Sequence, residues 1–265
     1  MWLTLNLPMK WSIIIFLVLA FQTSIGQNID EEDIVLYRKQ RYGGLNINMN
    51  GYGLTGTMAK YDGAYKLWLF NADLLFVKHE KETKTWSPIN DPNARPYFYG
   101  KQNNFYTLRT GIGRKIVVTE KLRKKSGVQV SYSWEAGPVF GFTKPVYLEI
   151  IYTTDTPIQQ YYLEIEKFDP DRHYIDNIYG RASGLRGFNQ LKYYPGAFFK
   201  FAFGFEYSNS KERLKGIETG AALDLYAKRI PIMAIYTDDS KNPKNHQLFF
   251  SLYINFFFGT KYDQK

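Results

Sequence analysis

The chain has 265 residues, a formal net charge of +9 and no cysteine, and 18% of its residues are aromatic. The lack of cysteine excludes disulfides, thiolate zinc sites and a lipoprotein anchor, which needs a Cys after the cleavage site. The aromatic content is high for a water-soluble domain and is typical of a barrel with aromatic girdles at a membrane.

The N-terminal segment has the three parts of a secretory signal peptide. Lys10 precedes the apolar run Ile13–Phe21, and small residues follow at Ser24 and Gly26. A run of about nine apolar residues is too short to cross a bilayer, which argues against an N-terminal membrane helix. We predict cleavage after Gly26, so that residues 1–26 are the signal peptide and residues 27–41 form a short periplasmic lead.

The next part of the chain, residues 42–259, consists of segments with alternating side chains, separated by turn residues. Asn50-Gly51 and Asp62-Gly63 are strong hairpin signals. The predicted strands are Tyr42–Met49, Tyr52–Tyr61, Tyr65–Lys78, Asn104–Arg114, Gly127–Phe142, Gly196–Tyr207, Leu214–Tyr226 and Leu248–Gly259. A count of ten follows if Val146–Tyr152 and Ile230–Tyr236 also belong to the barrel.

The last predicted strand has one wholly apolar face. Successive side chains in a strand point to opposite faces. One face carries Leu248, Phe250, Leu252, Ile254, Phe256 and Phe258, and the other is smaller and more polar. A tilted strand of roughly ten residues crosses a bilayer. Residues 260–265 follow as a predicted periplasmic tail, whereas many outer-membrane barrels end on an aromatic residue.

These patterns predict an all-β fold, an antiparallel transmembrane β-barrel of eight strands in the outer membrane of a Gram-negative bacterium. With both termini periplasmic, three of the four outward connections are long and the inward turns are short or moderate, as in known barrels of this kind. The alternative is a soluble sandwich or lipocalin-like barrel, whose exposed face would be charged. The basic turn Lys121–Lys125 lies on the periplasmic side in this topology.

Seven charged residues are predicted to point into the barrel. They are Asp73, Arg109, Glu135, Lys200, Glu206, Glu218 and Asp224. The interior of an eight-stranded barrel is just wide enough for side chains to fill, so these charges must pair. We expect a plugged barrel, and a narrow ion pathway is the alternative.

The sequence contains few candidate catalytic residues. His173 is flanked by acids, with Ser183 further along, but the pattern is more typical of a solvated loop histidine than of a general base. His79 and His246 lie at the predicted outer rim. The acids of residues 169–176 do not follow a calcium-loop pattern. We predict no enzyme activity, no cofactor and no metal.

Three stretches resemble a family of small, mostly uncharacterised outer-membrane β-barrel proteins of the Bacteroidota. They are Tyr99–Tyr106, Lys144–Ile150 and His173–Arg181. The resemblance implies the fold and the location and brings no active site with it. Because signature-like sequence in outward loops points to binding, the predicted binding surface comprises His173, Tyr174, Asp176, Asn177, Tyr179 and Arg181.

The predicted function is a non-enzymatic outer-membrane barrel whose long outer loops bind a partner or surface component. A sharper form is an accessory subunit of a machine for outer-membrane protein insertion or secretion. The expected partners are outer-membrane lipids and other outer-membrane proteins, without nucleic acid, since an exported protein meets little of it. The alternatives are a small-solute pore and a lipid-modifying enzyme.

Overall fold

The computed structural model describes residues 38–89, 91–119, 127–154, 161–208, 212–235 and 245–262. The predicted signal peptide, most of the predicted lead, the basic turn Lys121–Lys125 and residues 263–265 lie outside the described residues. The strands in chain order are β1 (Lys39–Asn48), β2 (Gly51–Tyr61), β3 (Lys66–Val77), β4 (Lys84–Thr85), β5 (Tyr97–Phe98), β6 (Asn103–Thr119), β7 (Gln129–Pro145), β8 (Tyr147–Thr153), β9 (Tyr161–Lys167), β10 (Ile178–Arg181), β11 (Lys192–Glu206), β12 (Arg213–Tyr226) and β13 (Leu248–Tyr262). Two short 3₁₀ turns cover Ile175–Asn177 and Phe188–Gln190.

Eight of these strands form a closed barrel in the order β1-β13-β12-β11-β7-β6-β3-β2. Each wall strand is antiparallel to both of its neighbours, and β1 pairs with β13 from Lys39↔Tyr262 to Asn48↔Tyr253, which closes the wall. The predicted eight-stranded antiparallel barrel is confirmed. The alternative count of ten is wrong, because β8 pairs with β9 and β10 in a separate sheet, and the described residues 230–235 form no wall strand and make one isolated bridge, Lys101↔Met233.

Several wall strands are longer than predicted. β6 continues from Arg114 to Thr119, and β13 continues from Gly259 to Tyr262. Thr260 pairs with Arg213 on one side, so these residues belong to the wall rather than to a tail. Polar residues at a strand end resemble a turn in sequence, whereas pairing with a neighbouring strand keeps them extended.

The apolar faces of the wall strands point outward. In β13 the six apolar side chains from Leu248 to Phe258 are 38–56% exposed, whereas Ser251, Tyr253 and Asn255 are buried. β3 and β11 show the same arrangement, with Phe70 and Phe203 outward and Asp73 and Lys200 inward. A water-soluble barrel has the opposite distribution, because burial of apolar surface drives its folding. Among the described residues, no helix is long and apolar enough to span a membrane.

The connections differ between the two ends of the barrel. The start of β1 and the end of β13 lie at one end of the barrel, here called the turn end, together with the short connections 62–65, 120–128 and 207–212. The hairpin at 49–50 and the longer connections 78–102, 146–191 and 227–247 lie at the other, here called the loop end. The smaller strands β4, β5, β8, β9 and β10 all belong to the loop end, which therefore carries a folded structure of its own.

Candidate functional site

All seven charged residues predicted for the interior lie inside the barrel and are buried. They come from five wall strands, namely β3, β6, β7, β11 and β12. Each occupies an inward position of its alternating strand, opposite to the exposed apolar set. The structure brings most of them together in a central cluster and a pair near the loop end, and places Glu206 near the turn end.

Lys200 is the centre of the main charge cluster. Its Nζ lies 3.2 Å from Glu135 Oε2, 3.5 Å from Asp73 Oδ2 and 3.9 Å from Glu218 Oε1. The hydroxyl of Thr55 donates to Asp73, and the hydroxyl of Tyr253 donates to Glu218 at 2.8 Å. One ammonium group therefore neutralises part of the charge of three carboxylates, and neighbouring hydroxyls provide further hydrogen bonds.

A separate ion pair, Arg109–Asp224, lies between the central cluster and the loop end. The Arg109 guanidinium donates two hydrogen bonds to the Asp224 carboxylate, with Nε at 2.8 Å and Nη2 at 2.7 Å. Thr107 and Tyr226 share a hydrogen bond at 2.9 Å beside it. A two-point contact between guanidinium and carboxylate holds both planes in one orientation, which fixes the side chains in the narrow interior.

Two interior lysines near the turn end were not predicted. Lys261 Nζ lies 3.0 Å from Glu206 Oε1, and Lys115 is buried with its Nζ 5.5 Å from the ring centre of Tyr42. Lys115 comes directly after the predicted end of its strand at Arg114, and Lys261 comes after the predicted end at Gly259. Continuing the alternation past those ends would have placed both side chains inward.

Apolar layers close the interior above and below the charged residues. At the loop end, Ile230, Ile232 and Met233 from the last long connection pack against Phe105 and Phe198 of the wall. At the turn end a second layer is formed by wall residues, namely Tyr42, Ala59, Leu67, Leu69, Val117, Leu214 and Phe257. The charged side chains of the interior thus lie between two apolar layers.

The central carboxylates do not form a metal site. Over the described ranges, no group of three or more His, Asp or Glu side chains is arranged to hold a metal ion. Lys200 occupies the space that a cation would need, since its Nζ is within 4 Å of all three acids. The cluster is organised around a side chain of the protein itself.

The loop end carries a folded cap, here defined as the described residues of 78–102, 146–191 and 227–235. Strands β8, β9 and β10 form a three-stranded sheet in the order β10-β8-β9, and β4 pairs with β5. The core of the cap joins all three connections and consists of Tyr97, Leu148, Ile150, Phe168, Ile178 and Ala234. The long connections therefore pack on one another rather than extending separately into solvent.

His173 has a structural role in the cap. Its side chain is 1% exposed, its Nδ1 accepts a hydrogen bond from the backbone N–H of Asp169 at 3.0 Å, and its Nε2 lies 3.2 Å from Glu166 Oε2. The hydroxyl of Tyr152 donates to Glu166 at 2.6 Å. The pKa of the Glu166 carboxyl is below its ordinary value, mainly because of this hydrogen bond.

Tyr179 and Asn177 likewise connect parts of the cap. Tyr179 is buried, and its hydroxyl donates to Asp91 Oδ2 at 2.7 Å. This bond raises the pKa of Tyr179 to about 12 and lowers the pKa of Asp91. The amide of Asn177 accepts from the N–H of Tyr174 and donates to the carbonyl of Arg172.

Only some of the residues of the predicted binding surface are therefore accessible to a partner. His173 and Tyr179 face the interior of the cap, because their polar atoms join neighbouring segments, and neither can contact a partner directly. Tyr174, Asp176, Asn177 and Arg181 are on the exterior, although Asn177 uses its amide to hold the turn.

The cap exposes an apolar strand that was not predicted. In β9 the side chains of Tyr161, Tyr162, Leu163 and Ile165 are 39–58% exposed. β9 is an edge strand, and its second edge pairs with no strand of the described chain. The alternation in Tyr161–Lys167 could have indicated a strand, but the absence of a neighbour is visible only in the fold.

The outward wall, the filled interior and the cap are the features with which other proteins can be compared. The sequence matches no family model, and no curated protein matches it. The resemblance to outer-membrane barrels of the Bacteroidota therefore stays a prediction.

Proposed function

We propose that this protein is a non-enzymatic barrel of the outer membrane whose cap, on the cell exterior, binds a protein partner. The wall serves as the anchor, the filled interior holds the wall together, and the cap presents the binding surface. The observation that carries the proposal is the combination of an apolar exterior with an exposed edge strand on the cap that pairs on one side with no strand of the described residues.

The outward surface supports the membrane location. Large contiguous apolar surface is rare on soluble monomers and marks contact with a membrane or partner. Here every wall strand contributes exposed apolar residues, among them Leu45, Leu54, Phe70, Ile112 and Trp134. A bilayer covers such a surface on all sides of a barrel, which a single protein partner does not.

The interior supports an anchor rather than a pathway. Water or a solute would have to pass the apolar layer around Met233, the Arg109–Asp224 pair and the cluster around Lys200 in turn. Separating buried ion pairs is costly because each charge then loses its partner in a medium of low dielectric constant. The interior is thus suited to stabilising the wall.

The cap supports binding rather than catalysis. Both ring nitrogens of His173 are engaged with Asp169 and Glu166. Edge strand β9 offers an unpaired edge to an extended segment, which is the geometry of β-strand addition. Tyr161, Leu163 and Ile165 lie on one face of β9, and Glu164 and Glu166 on the other.

The charges of β9 favour a basic partner strand over a second copy of this chain. In antiparallel self-pairing, a register that aligns the apolar faces also places Glu164 opposite or beside acidic residues of the other copy, which is unfavourable. A strand that alternates apolar residues with Lys or Arg satisfies both faces. In its more specific form, the proposal is that this partner is a subunit of a machine for outer-membrane protein insertion or secretion.

The proposal is tested by photo-crosslinking in cells. A photoreactive residue is placed at Leu163 or at Trp86, which is also exposed on the cap. We expect one defined protein to crosslink at Leu163 and not at Trp86, and to be lost when Ile165→Lys is added. Trp86→Lys, with the same change in charge, leaves the crosslink intact. A crosslinking pattern that does not differ between the two positions would count against binding at β9.

A further inference from the structure

The segment Leu185–Tyr193, here called the rim segment, joins the cap to the wall and exposes apolar side chains. Leu185 is 81% exposed, and Phe188, Leu191 and Tyr193 are 44–53% exposed. The last two residues of the rim segment, Lys192 and Tyr193, are the first two residues of β11. The rim segment therefore lies where the outward wall ends and the cap begins.

The rim segment and the preceding Gly184 pack against the end of wall strand β7. The Lys144 ammonium donates to the carbonyl of Gly184 and lies 4.5 Å from the ring centre of Phe188. Gly187 has a φ of +85°, and a Cβ at that position would lie 3.1 Å from the carbonyl oxygen of Pro145. Such close packing leaves the exposed apolar side chains on a fixed framework.

The rim segment is continuous with the outward aromatic surface. Tyr193 stacks on Phe140 with ring centres 6.0 Å apart and contacts Phe142 with ring centres 5.8 Å apart. Aromatic side chains with a polar group occupy the interface between hydrocarbon and headgroups. Tyr193 thus marks the level at which the rim segment meets the membrane, if the barrel is located as proposed above.

The charge around the rim segment is positive. Arg186 and Lys192 lie within it, and from Ala182 to Phe205 the sequence contains no Asp or Glu. Both side chains belong to exposed residues. A surface pocket of about 470 Å³ is lined by Tyr147 and the residues Leu185–Gln190, so a basic residue and apolar side chains border the same concave surface.

We propose that the rim segment binds an anionic lipid headgroup of the outer leaflet. Leu185, Phe188 and Leu191 insert among the acyl chains next to the wall, and Arg186 binds a headgroup phosphate. Segments with exposed apolar residues beside basic residues lie in the membrane interface, because the apolar side chains enter the hydrocarbon and the basic ones are attracted to anionic headgroups. The inference rests on the proposed membrane location and adds a specific lipid site to it.

The insertion is tested by spin labelling, which the chain allows because it has no cysteine. Leu185→Cys, Phe250→Cys on the wall and Trp86→Cys on the cap are labelled with a nitroxide in vesicles of phosphatidylcholine and lipid A. Collisions with oxygen, which concentrates in hydrocarbon, and with a water-soluble nickel chelate are then measured. We expect Leu185→Cys to resemble Phe250→Cys, and Trp86→Cys to be accessible mainly to nickel. Leu191→Cys repeats the measurement with a second position.

The outcomes separate this inference from the proposed function. If the wall label favours oxygen and both rim labels favour nickel, the rim segment lies in water or against a protein and the inference is overturned. If the wall label also favours nickel, the membrane location itself is wrong.

The phosphate contact is tested by removing charge. Arg186→Gln is compared with Lys84→Gln, at an exposed lysine elsewhere on the cap. The affinity of the detergent-solubilised protein for lipid A should fall roughly fivefold when the charge of Arg186 is removed. Lys84→Gln should leave the affinity unchanged. Equal affinity of the two variants would overturn phosphate recognition by the rim segment.

Discussion

At the scale of single residues, Lys200 explains how an acidic interior can be built into a narrow wall. Three carboxylates from three strands point at its ammonium group, with N–O distances of 3.2–3.9 Å. Without the lysine, the three carboxylates would be buried close to one another with no cation. Like charges at short distance repel strongly in a medium of low dielectric constant. The lysine therefore makes the neighbouring acids compatible with the fold.

Replacing Lys200 by Met should destabilise the barrel by roughly 3–5 kcal/mol, because it leaves buried carboxylates without their cation. Unfolding in urea, followed by tryptophan fluorescence, measures the change. Adding Glu135→Gln to Lys200→Met should restore part of the loss, since one unpaired charge is removed. Lys60→Met, at an exposed position, serves as the control. If Lys200→Met is as stable as this control, the cluster does not stabilise the wall.

At the scale of elements, interior aromatic rings lie over glycines of other wall strands. A Cβ on Gly111 of β6 would lie 2.6 Å from the ring of Phe198 in β11, and a Cβ on Gly216 of β12 would lie 2.4 Å from the ring of Phe257 in β13. Glycine at these positions leaves room for a ring in a barrel too narrow for two large side chains at one level. The pairs also hold the register, because a slip by one residue would move every inward side chain to the outside.

Gly111→Ala should therefore lower stability by about 1–3 kcal/mol, the usual cost of overfilling a packed interior. Gly56→Ala is the matched control, since its Cβ would have its nearest neighbour at 3.9 Å. The urea midpoints of the two variants and of the wild type measure the difference. Phe198→Leu in the Gly111→Ala background should recover part of the loss, because it relieves the contact with the ring. A Gly111→Ala midpoint equal to that of Gly56→Ala would contradict this account.

At the scale of the whole molecule, the wall, the interior and the cap have separate roles. The interior connects strands that are not neighbours in the wall, for example β3 with β11 through Asp73 and Lys200. The last long connection closes the loop end with Ile230, Ile232 and Met233. These contacts join wall strands across the interior and join the last long connection to the wall.

In planar bilayers the protein should give no steady single-channel current, because four consecutive layers of side chains, two apolar and two charged, block the interior. Ile230→Ser with Ile232→Ser should still give none, since the charged layers and the turn-end layer remain. A porin of larger strand number, which has an open aqueous channel, is the positive control. A steady current from the wild-type protein would favour a small-solute pore over an anchor.

The sequence alone was sufficient for the wall, because alternation is a local property of a strand. The two faces of β13 and the inward positions of Asp73 and Lys200 follow from counting every second residue. The tertiary structure decided where the strands end. Lys115 and Lys261 were missed because the pairing of neighbouring strands, rather than their own residue types, keeps the chain extended there.

The cap was decided by the tertiary structure. His173 and Tyr179 look like surface residues in a polar loop, yet both are buried in the folded cap. The partner of Tyr179, Asp91, comes from another connection, whereas the partner of His173, Glu166, lies in the same connection on β9. The unpaired edge of β9 is likewise invisible in sequence, because an edge is defined by a missing neighbour. Side-chain periodicity thus determined which residues face inward, whereas contacts between segments far apart in the chain determined what fills the barrel and what the cap exposes.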